Sequence, residues 1–536
     1  MKRIYLLLSI ILASYQVSSQ VIPLNDGIDI KHYTFQLELN DSTNIISGTA
    51  TIQILFEKNV TAFELDLVNK NSKGAGMIVK NVLMNGSSLK FTHQQDKLKI
   101  ALSEASKVND LLTFIITYSG IPQDGLIISK NIFGDRTFFG DNWPNRAHHW
   151  LPTIDHPSDK ASVDFIVTAP SIYEVIGNGI KIEESFLNNK QKRTHWKEEV
   201  DLPTKVMVIG AARFAIHHSG DVNTIPVESW VYPQNRTEGF YDYAIATNIL
   251  KYFNEHIGPY PYKKLANVQS TTRYGGMENA SNIFYFEKSV NGKNEQENLI
   301  AHEIAHQWFG NSASEIDWHH VWLSEGFATY FTHLYTEFHH GRKVMEIDMQ
   351  KDRNSAIEFN KTKSLPIVFT TLPQDLMEIL SANSYQKGGW VLHMLRNEVG
   401  DIAFWAGIRK YYRNFSYGNA QTIDFQNIME EVSGKNLDLF FNQWLFRAGH
   451  PNLDGAWSYD AKTKMLSLSI DQVQKGQPFD FQLEVGIYAE NQPLPKLEKV
   501  RIDKAVNKFS IPISVKPVKI SLDPNTNLLF EGKLKN

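Results

Sequence analysis

Glu297-Asn298-Leu299-Ile300-Ala301-His302-Glu303-Ile304-Ala305-His306-Gln307-Trp308-Phe309-Gly310-Asn311 decides how the rest of the chain is read. Its apolar residues recur three and four apart, without two-residue alternation, so it predicts a helix. Residues four apart on a helix sit one turn apart on one face. His302 and His306 therefore address a single point, and Ile300 and Ile304 turn towards a core. Gly310-Asn311 supplies a helix stop. Two imidazoles can hold a divalent cation. A tetrahedral zinc then lacks two ligands, one expected from a carboxylate and one from water. Glu303 lies on the same helix as both histidines. It is placed to take a proton from that water and pass it to a leaving amine.

The next stretch outward, Trp322-Leu323-Ser324-Glu325-Gly326-Phe327-Ala328-Thr329-Tyr330-Phe331, predicts a second buried helix. Glu325 is a carboxylate in an otherwise apolar run, and a buried charge is costly unless it is paired or bound to a metal. Taken alone, Glu325 reads as a salt-bridged or exposed glutamate, and His302 and His306 as the polar face of an ordinary helix. Eighteen residues separate His306 from Glu325. An antiparallel helix pair across that gap brings all three groups together.

Further out, the pattern changes on both sides. From about residue 29 to 213 it is mostly period two. Tyr33, Phe35, Leu37 and Leu39 alternate with polar residues, as do Ile52, Ile54 and Phe56, and Val163, Phe165 and Val167. These are half-buried strands, punctuated by turns such as Asn85-Gly86 and Asp124-Gly125. Residues 214–447 carry helical spacing. After Gly449-His450-Pro451 the alternation returns, in Leu466, Leu468 and Ile470, in Phe479 to Ile487, and in Phe509 to Val515. The expectation is a multidomain α+β chain. It has an all-β amino-terminal domain at 20–213, a mostly helical middle at 214–447 and a small antiparallel β sandwich at 448–536.

The first 19 residues read as a leader. Lys2 and Arg3 precede an apolar run from Ile4 to Ala13, and Val17-Ser18-Ser19 follow. A basic start, a short apolar stretch and a small-residue exit describe a secretory signal peptide. The run is shorter than the ~20 residues of a spanning helix, and no later segment is apolar for long enough to anchor in a membrane. The expected location is periplasmic or extracellular. The 536 residues contain no cysteine. That removes disulfides, thiolate metal sites and a cysteine nucleophile, so any metal is held by His, Asp or Glu. A net charge of −4 and a pI near 6.5 give no basic field for nucleic acid. The paired histidines at 148–149, 319–320 and 339–340 read as solvated or satisfied. Oligomeric state is not written in the sequence.

His-Glu-x-x-His with a glutamate eighteen residues on resembles the gluzincin aminopeptidases of the aminopeptidase N and leukotriene hydrolase family. Gly275-Gly276-Met277-Glu278-Asn279 is similar to that family's Gly-x-Met-Glu-Asn motif. Tyr385-Gln386-Lys387-Gly388 is similar to its Tyr-x-Lys-Gly motif, and Trp150-Leu151-Pro152-Thr153-Ile154-Asp155-His156-Pro157 to its Pro corner. Phe440-Phe441-Asn442-Gln443-Trp444 resembles its helix before the last domain. The resemblance implies a saddle-like amino-terminal β domain and a thermolysin-like catalytic domain. It implies one Zn2+ per chain on His302, His306 and Glu325, with Glu303 and Tyr385 catalytic.

In that family the motif glutamate, here Glu278, binds the free α-amino group of a peptide. The resemblance thus implies a zinc aminopeptidase acting on peptides with a free amino terminus, with Gly275, Gly276, Met277 and Asn279 beside the substrate. Gly275 and Gly276 leave the backbone bare for a peptide to lie alongside as an added strand. On spacing alone Tyr385 is a core tyrosine at the start of an apolar helix, and its oxyanion role rests on the resemblance. The family's second amine contact, a Glu or Gln before the corner, falls on Trp143 here, with Asp141 and Asn142 as substitutes. On this resemblance, the large carboxy-terminal helical domain of many relatives is not expected after the β sandwich. Two other readings stay open: a non-catalytic peptide-binding relative and a gluzincin endopeptidase.

Overall fold

The computed structural model describes residues 27–490 and 492–536, so the leader at 1–19 lies outside the described residues. Ile28–Glu38 pairs antiparallel with Ile46–Phe56 and parallel with Lys160–Pro170 in the middle of an eight-stranded sheet. The alternation read in the sequence is its cause. Tyr33, Phe35 and Leu37 are buried, and Val163, Phe165 and Val167 are buried opposite them in register. The Phe35 and Phe165 rings stack at 5.6 Å. A four-stranded sheet, including Leu126–Lys130 and Arg136–Gly140, leads into the corner at residues 141–157. There Asp155 ties the corner down. It accepts from the Thr204 hydroxyl (2.8 Å) and pairs with His148 Nδ1 (2.6 Å).

The middle of the chain opens with a five-stranded sheet that the spacing analysis did not resolve. It contains Ala215–Val222, Ile225–Val231, Leu265–Ser270, Asn282–Phe286 and, at its edge, Gly276–Met277. All six residues of Leu265–Ser270 are buried. A strand covered on both faces shows no period of two. The stretch around residues 239–256 forms two short helices, α1 (Arg236–Tyr243) and α2 (Ala246–His256).

The two predicted helices follow as α3 (Glu297–His306) and α4 (Trp322–His340). They run antiparallel. Asn298 in the first turn of α3 meets Thr336 late in α4 at 3.4 Å, and Glu297 meets His340 at 2.9 Å. Then come α5 (Arg342–Thr362), a π-helical turn at Asn383–Lys387, and α6 (Gly388–Val399). α4 and α6 touch backbone to backbone. A Cβ on Gly326 or on Gly388 would stand 2.9 Å from the backbone of the other. No side chain larger than hydrogen fits there, so the crossing fixes where Glu325 and Tyr385, one and three residues away, sit relative to each other.

The tail packs a four-stranded sheet containing Asn452–Asp460 and Met465–Gln472 with a three-stranded one centred on Phe481–Ala489. Arg353 of α5 fastens this sandwich to the helices. It pairs with Asp523 (3.3 Å), and its guanidinium lies 5.4 Å from the Trp390 ring and 5.3 Å from Phe530. Among the described residues, no helix is long and apolar enough to cross a membrane.

Candidate active site

α3 presents His302 and His306 from one face, and the first turn of α4 presents Glu325 to them. The two Nε2 atoms lie 3.1 Å apart. Glu325 Oε2 is 3.2 Å from Nε2 of His306 and 3.5 Å from Nε2 of His302. Donors bound about 2.0–2.1 Å from one tetrahedral ion stand about 3.3 Å apart, so this set fits a single divalent cation. The tautomer fits as well. His306 Nδ1 donates to the Phe309 carbonyl at 3.1 Å, with the Ser324 hydroxyl at the same distance, which leaves the Nε2 lone pair facing the cluster. Gly310 makes that possible. Its φ is +113°, and a Cβ there would overlap the Ser324 hydroxyl.

Charge is concentrated here. Burial opposes ionisation of Glu325, yet the His306 and His302 imidazoles hold its carboxyl well below the usual range. Burial works against positive charge at His306, but Glu325 and Glu278 draw it to the Nε2 edge, whether a proton or a divalent cation brings it. Glu303 is 5 % exposed. Burial raises its proton affinity well above that of a free glutamate; His306 opposes this, and the Glu278 and Glu325 carboxylates add to it. Its carboxyl lies against the edge strand so closely that a Cβ on Gly276 would overlap it.

Tyr385 stands in the π-helical turn with its ring stacked on His302 at 5.9 Å. Such turns, with their extra residue, often occur at functional sites. Burial, reinforced by Glu325, Glu278 and Glu303, keeps its phenol protonated far above neutral pH, so it is a donor. Glu278 is buried, and its Oε1 has no partner. Its backbone carbonyl is gripped by Gln307 Nε2 (2.8 Å) and Asn311 Nδ2 (2.6 Å), while Gln307 Oε1 accepts from the Ser281 amide (2.9 Å). Gln307 and Asn311 thus pin the Gly275–Asn279 motif to α3. The sequence reading gave Gln307 no role and Asn311 only that of a helix stop.

These groups line one cavity of about 630 Å³. Gly275, Gly276, Met277 and Glu278 form one wall, and His302, Glu303, His306, Glu325 and Tyr385 the floor. Asn279 is fully buried and lies behind the wall rather than in it. Trp143 reaches the cavity, but the two substitutes proposed beside it do not. Asp141 is buried in an ion pair with Arg146. Asn142 holds the Thr204 and Met207 carbonyls and the Trp150 indole. Both are fully buried in the corner, and neither lines the cavity where an amine would bind. Elsewhere, Glu297, His339 and His340 form an exposed second group with ligand atoms within 4.8 Å of one another.

Two histidines four apart on one helix, a glutamate from the next, and a second carboxylate between helix and edge strand define a gluzincin centre. The sequence comparisons agree. Residues 241–444 match the Peptidase family M1 domain, and residues 30–206 match the Peptidase M1 N-terminal domain. The chain belongs to peptidase family M1.

It is 27 % identical to human glutamyl aminopeptidase over 349 residues, 61 % of this chain and 36 % of that protein. It is 24 % identical to leucyl aminopeptidase of Saccharolobus solfataricus over 446 residues, 79 % of this chain and 54 % of the relative. Probable aminopeptidase 2 of Sulfurisphaera tokodaii is 27 % identical over 57 % of this chain and 40 % of its own length. The chain spans about a third to a half of the length of these relatives.

Proposed function

We propose that the protein is a zinc-dependent aminopeptidase that removes the first residue of peptides. One observation carries the reading: the same cavity holds the His302–His306–Glu325 donor set and, along the edge strand, a buried carboxylate oxygen of Glu278 with no protein partner. An unpaired buried carboxylate is expensive, and a substrate ammonium would repay it. A peptide amine seated there sets its first peptide bond beside Glu303. An internal bond offers no charge at that place.

His302, His306 and Glu325 would hold the zinc, which would supply Lewis-acid polarisation of water and of a carbonyl. Glu303 takes the proton of the attacking water and returns it to the leaving amine. Tyr385 donates to the oxyanion that develops on the carbonyl. Gly276 and its neighbours offer the unpaired backbone of an edge strand, along which a peptide can lie as a further strand. The leader read at 1–19 supports export to a periplasmic or extracellular location.

Glu278→Ala tests the reading. On aminoacyl coumarylamides with a free amine, kcat/KM should fall about 30-fold or more, the loss typical of truncating one partner of a buried charge pair. The same substrates carrying an N-acetyl group should be poor for both proteins and nearly unchanged by the substitution. Efficient cleavage of acetylated peptides by the wild type would instead identify an endopeptidase.

A further inference from the structure

The two ends of the cavity differ in chemistry, and the edge strand shows which end is which. Gly275 lies against Leu299, Gly276 against Glu303, and the Glu278 carbonyl against Gln307 and Asn311. Moving along the strand therefore follows α3 from its first turn to beyond its last. With an ammonium at Glu278 and the scissile carbonyl at Glu303, the leaving residue falls at the Leu299 end. That end is charged: His333 pairs with Asp352 and Lys351 with Asp348, each at 2.7 Å.

The other end is apolar. Met277, beside Glu278, and Trp143 are buried in one hydrophobic cluster, against which Leu380 packs. The Trp143 indole stands edge-to-face on Trp318 at 5.4 Å. The Tyr274 hydroxyl lies 3.9 Å from the Met377 sulfur. Cations close to this wall already have anionic partners. Lys205 pairs with Glu315, with its ammonium 5.9 Å from the Trp143 ring and 5.6 Å from Trp318. Arg146 pairs with Asp141, has Asp124 at 3.5 Å, and stacks on Tyr274 at 5.7 Å.

We infer that this wall is the pocket for the substrate's first side chain. It selects large apolar or aromatic residues such as leucine, methionine and phenylalanine over acidic ones, with Trp143 as the specificity-determining residue. The inference rests on the aminopeptidase reading above. An acidic side chain entering here would lose its water, meet no uncommitted cation among the described residues and approach the Glu278 carboxylate; each of these opposes binding. An apolar one replaces water on Met277, Trp143 and Leu380. The preference thus differs from what the name of the glutamyl relatives describes.

The test measures kcat/KM for Leu, Met, Phe, Ala and Glu coumarylamides. Leu, Met and Phe should exceed Glu by about 100-fold or more, since an unpaired carboxylate is costly to bury in an apolar pocket. Trp143→Gln should cut the Phe-to-Ala ratio about 10-fold, chiefly through KM. Both rates come from one protein sample, so partial misfolding cancels. As a readout free of turnover, Glu303→Gln protein should bind phenylalanine amide more tightly than glutamic acid amide by calorimetry. Hydrolysis of Glu as fast as Leu, or an unchanged ratio in Trp143→Gln, overturns the pocket. Failure to cleave any amide while the calorimetric preference holds overturns the aminopeptidase reading and leaves the pocket standing.

Discussion

Glu303→Gln should leave the protein folded and loaded with metal while kcat falls about 10²–10⁴-fold, the range for removing a positioned general base. Glutamine has the shape of the residue it replaces and fits the same space against Gly276, where even one extra carbon is excluded. It therefore isolates proton transfer from packing. The donor cluster does not include Glu303; its three members are His302, His306 and Glu325. Zinc content by elemental analysis should match the wild type, whereas His306→Ala would change it. The local fields make Glu303 suited to the task. Burial foremost, opposed by His306 and aided by the nearby carboxylates of Glu278 and Glu325, raises its proton affinity above that of a free glutamate, which strengthens it as a base. A variant with wild-type turnover and full metal would remove Glu303 from the chemistry and require another base.

The donor set was legible because two of its members share a helix turn, and the third stands out as a charge in an apolar run. The outer sheets were legible because one face of each is wet, which writes a period of two into Tyr33–Leu39 and Phe481–Ile487. The five-stranded sheet was not, because Leu265–Ser270 is dry on both sides. Gln307 and Asn311 escaped notice for a different reason. At the end of a helix, amide side chains look like a stop signal, and nothing local tells that they reach back to residues 278 and 281. The apolar wall is assembled from residues 143, 274, 277, 377 and 380. No sequence window contains it, although the tryptophan at 143 marked the departure. Only the resemblance marked Tyr385 as catalytic; on spacing alone it read as core, because spacing could not reveal the π-helical turn that places its ring on His302.

That turn and the glycine crossing together explain why Tyr385→Phe is the sharpest remaining probe. The ring stacks on His302 and should persist in phenylalanine, so only the hydroxyl is lost. Burial, with Glu325, Glu278 and Glu303 nearby, keeps the phenol protonated and able to donate. Removing one preorganised donor to a developing oxyanion costs about 2.7–4 kcal/mol, or about 10²–10³ in kcat. KM should stay near wild type, because the ground-state carbonyl gains little from a donor aimed at the oxyanion. Gly326→Ala supplies the companion measurement. Its added carbon meets the Gly388 backbone at 2.9 Å, so α4 and α6 must part, and Tyr385 moves away from Glu325 with its hydroxyl intact. If the hydroxyl acts by position, kcat falls in both variants while Tyr385→Phe keeps full metal. A Tyr385→Phe protein with wild-type kcat would return the residue to the core packing that its spacing first suggested.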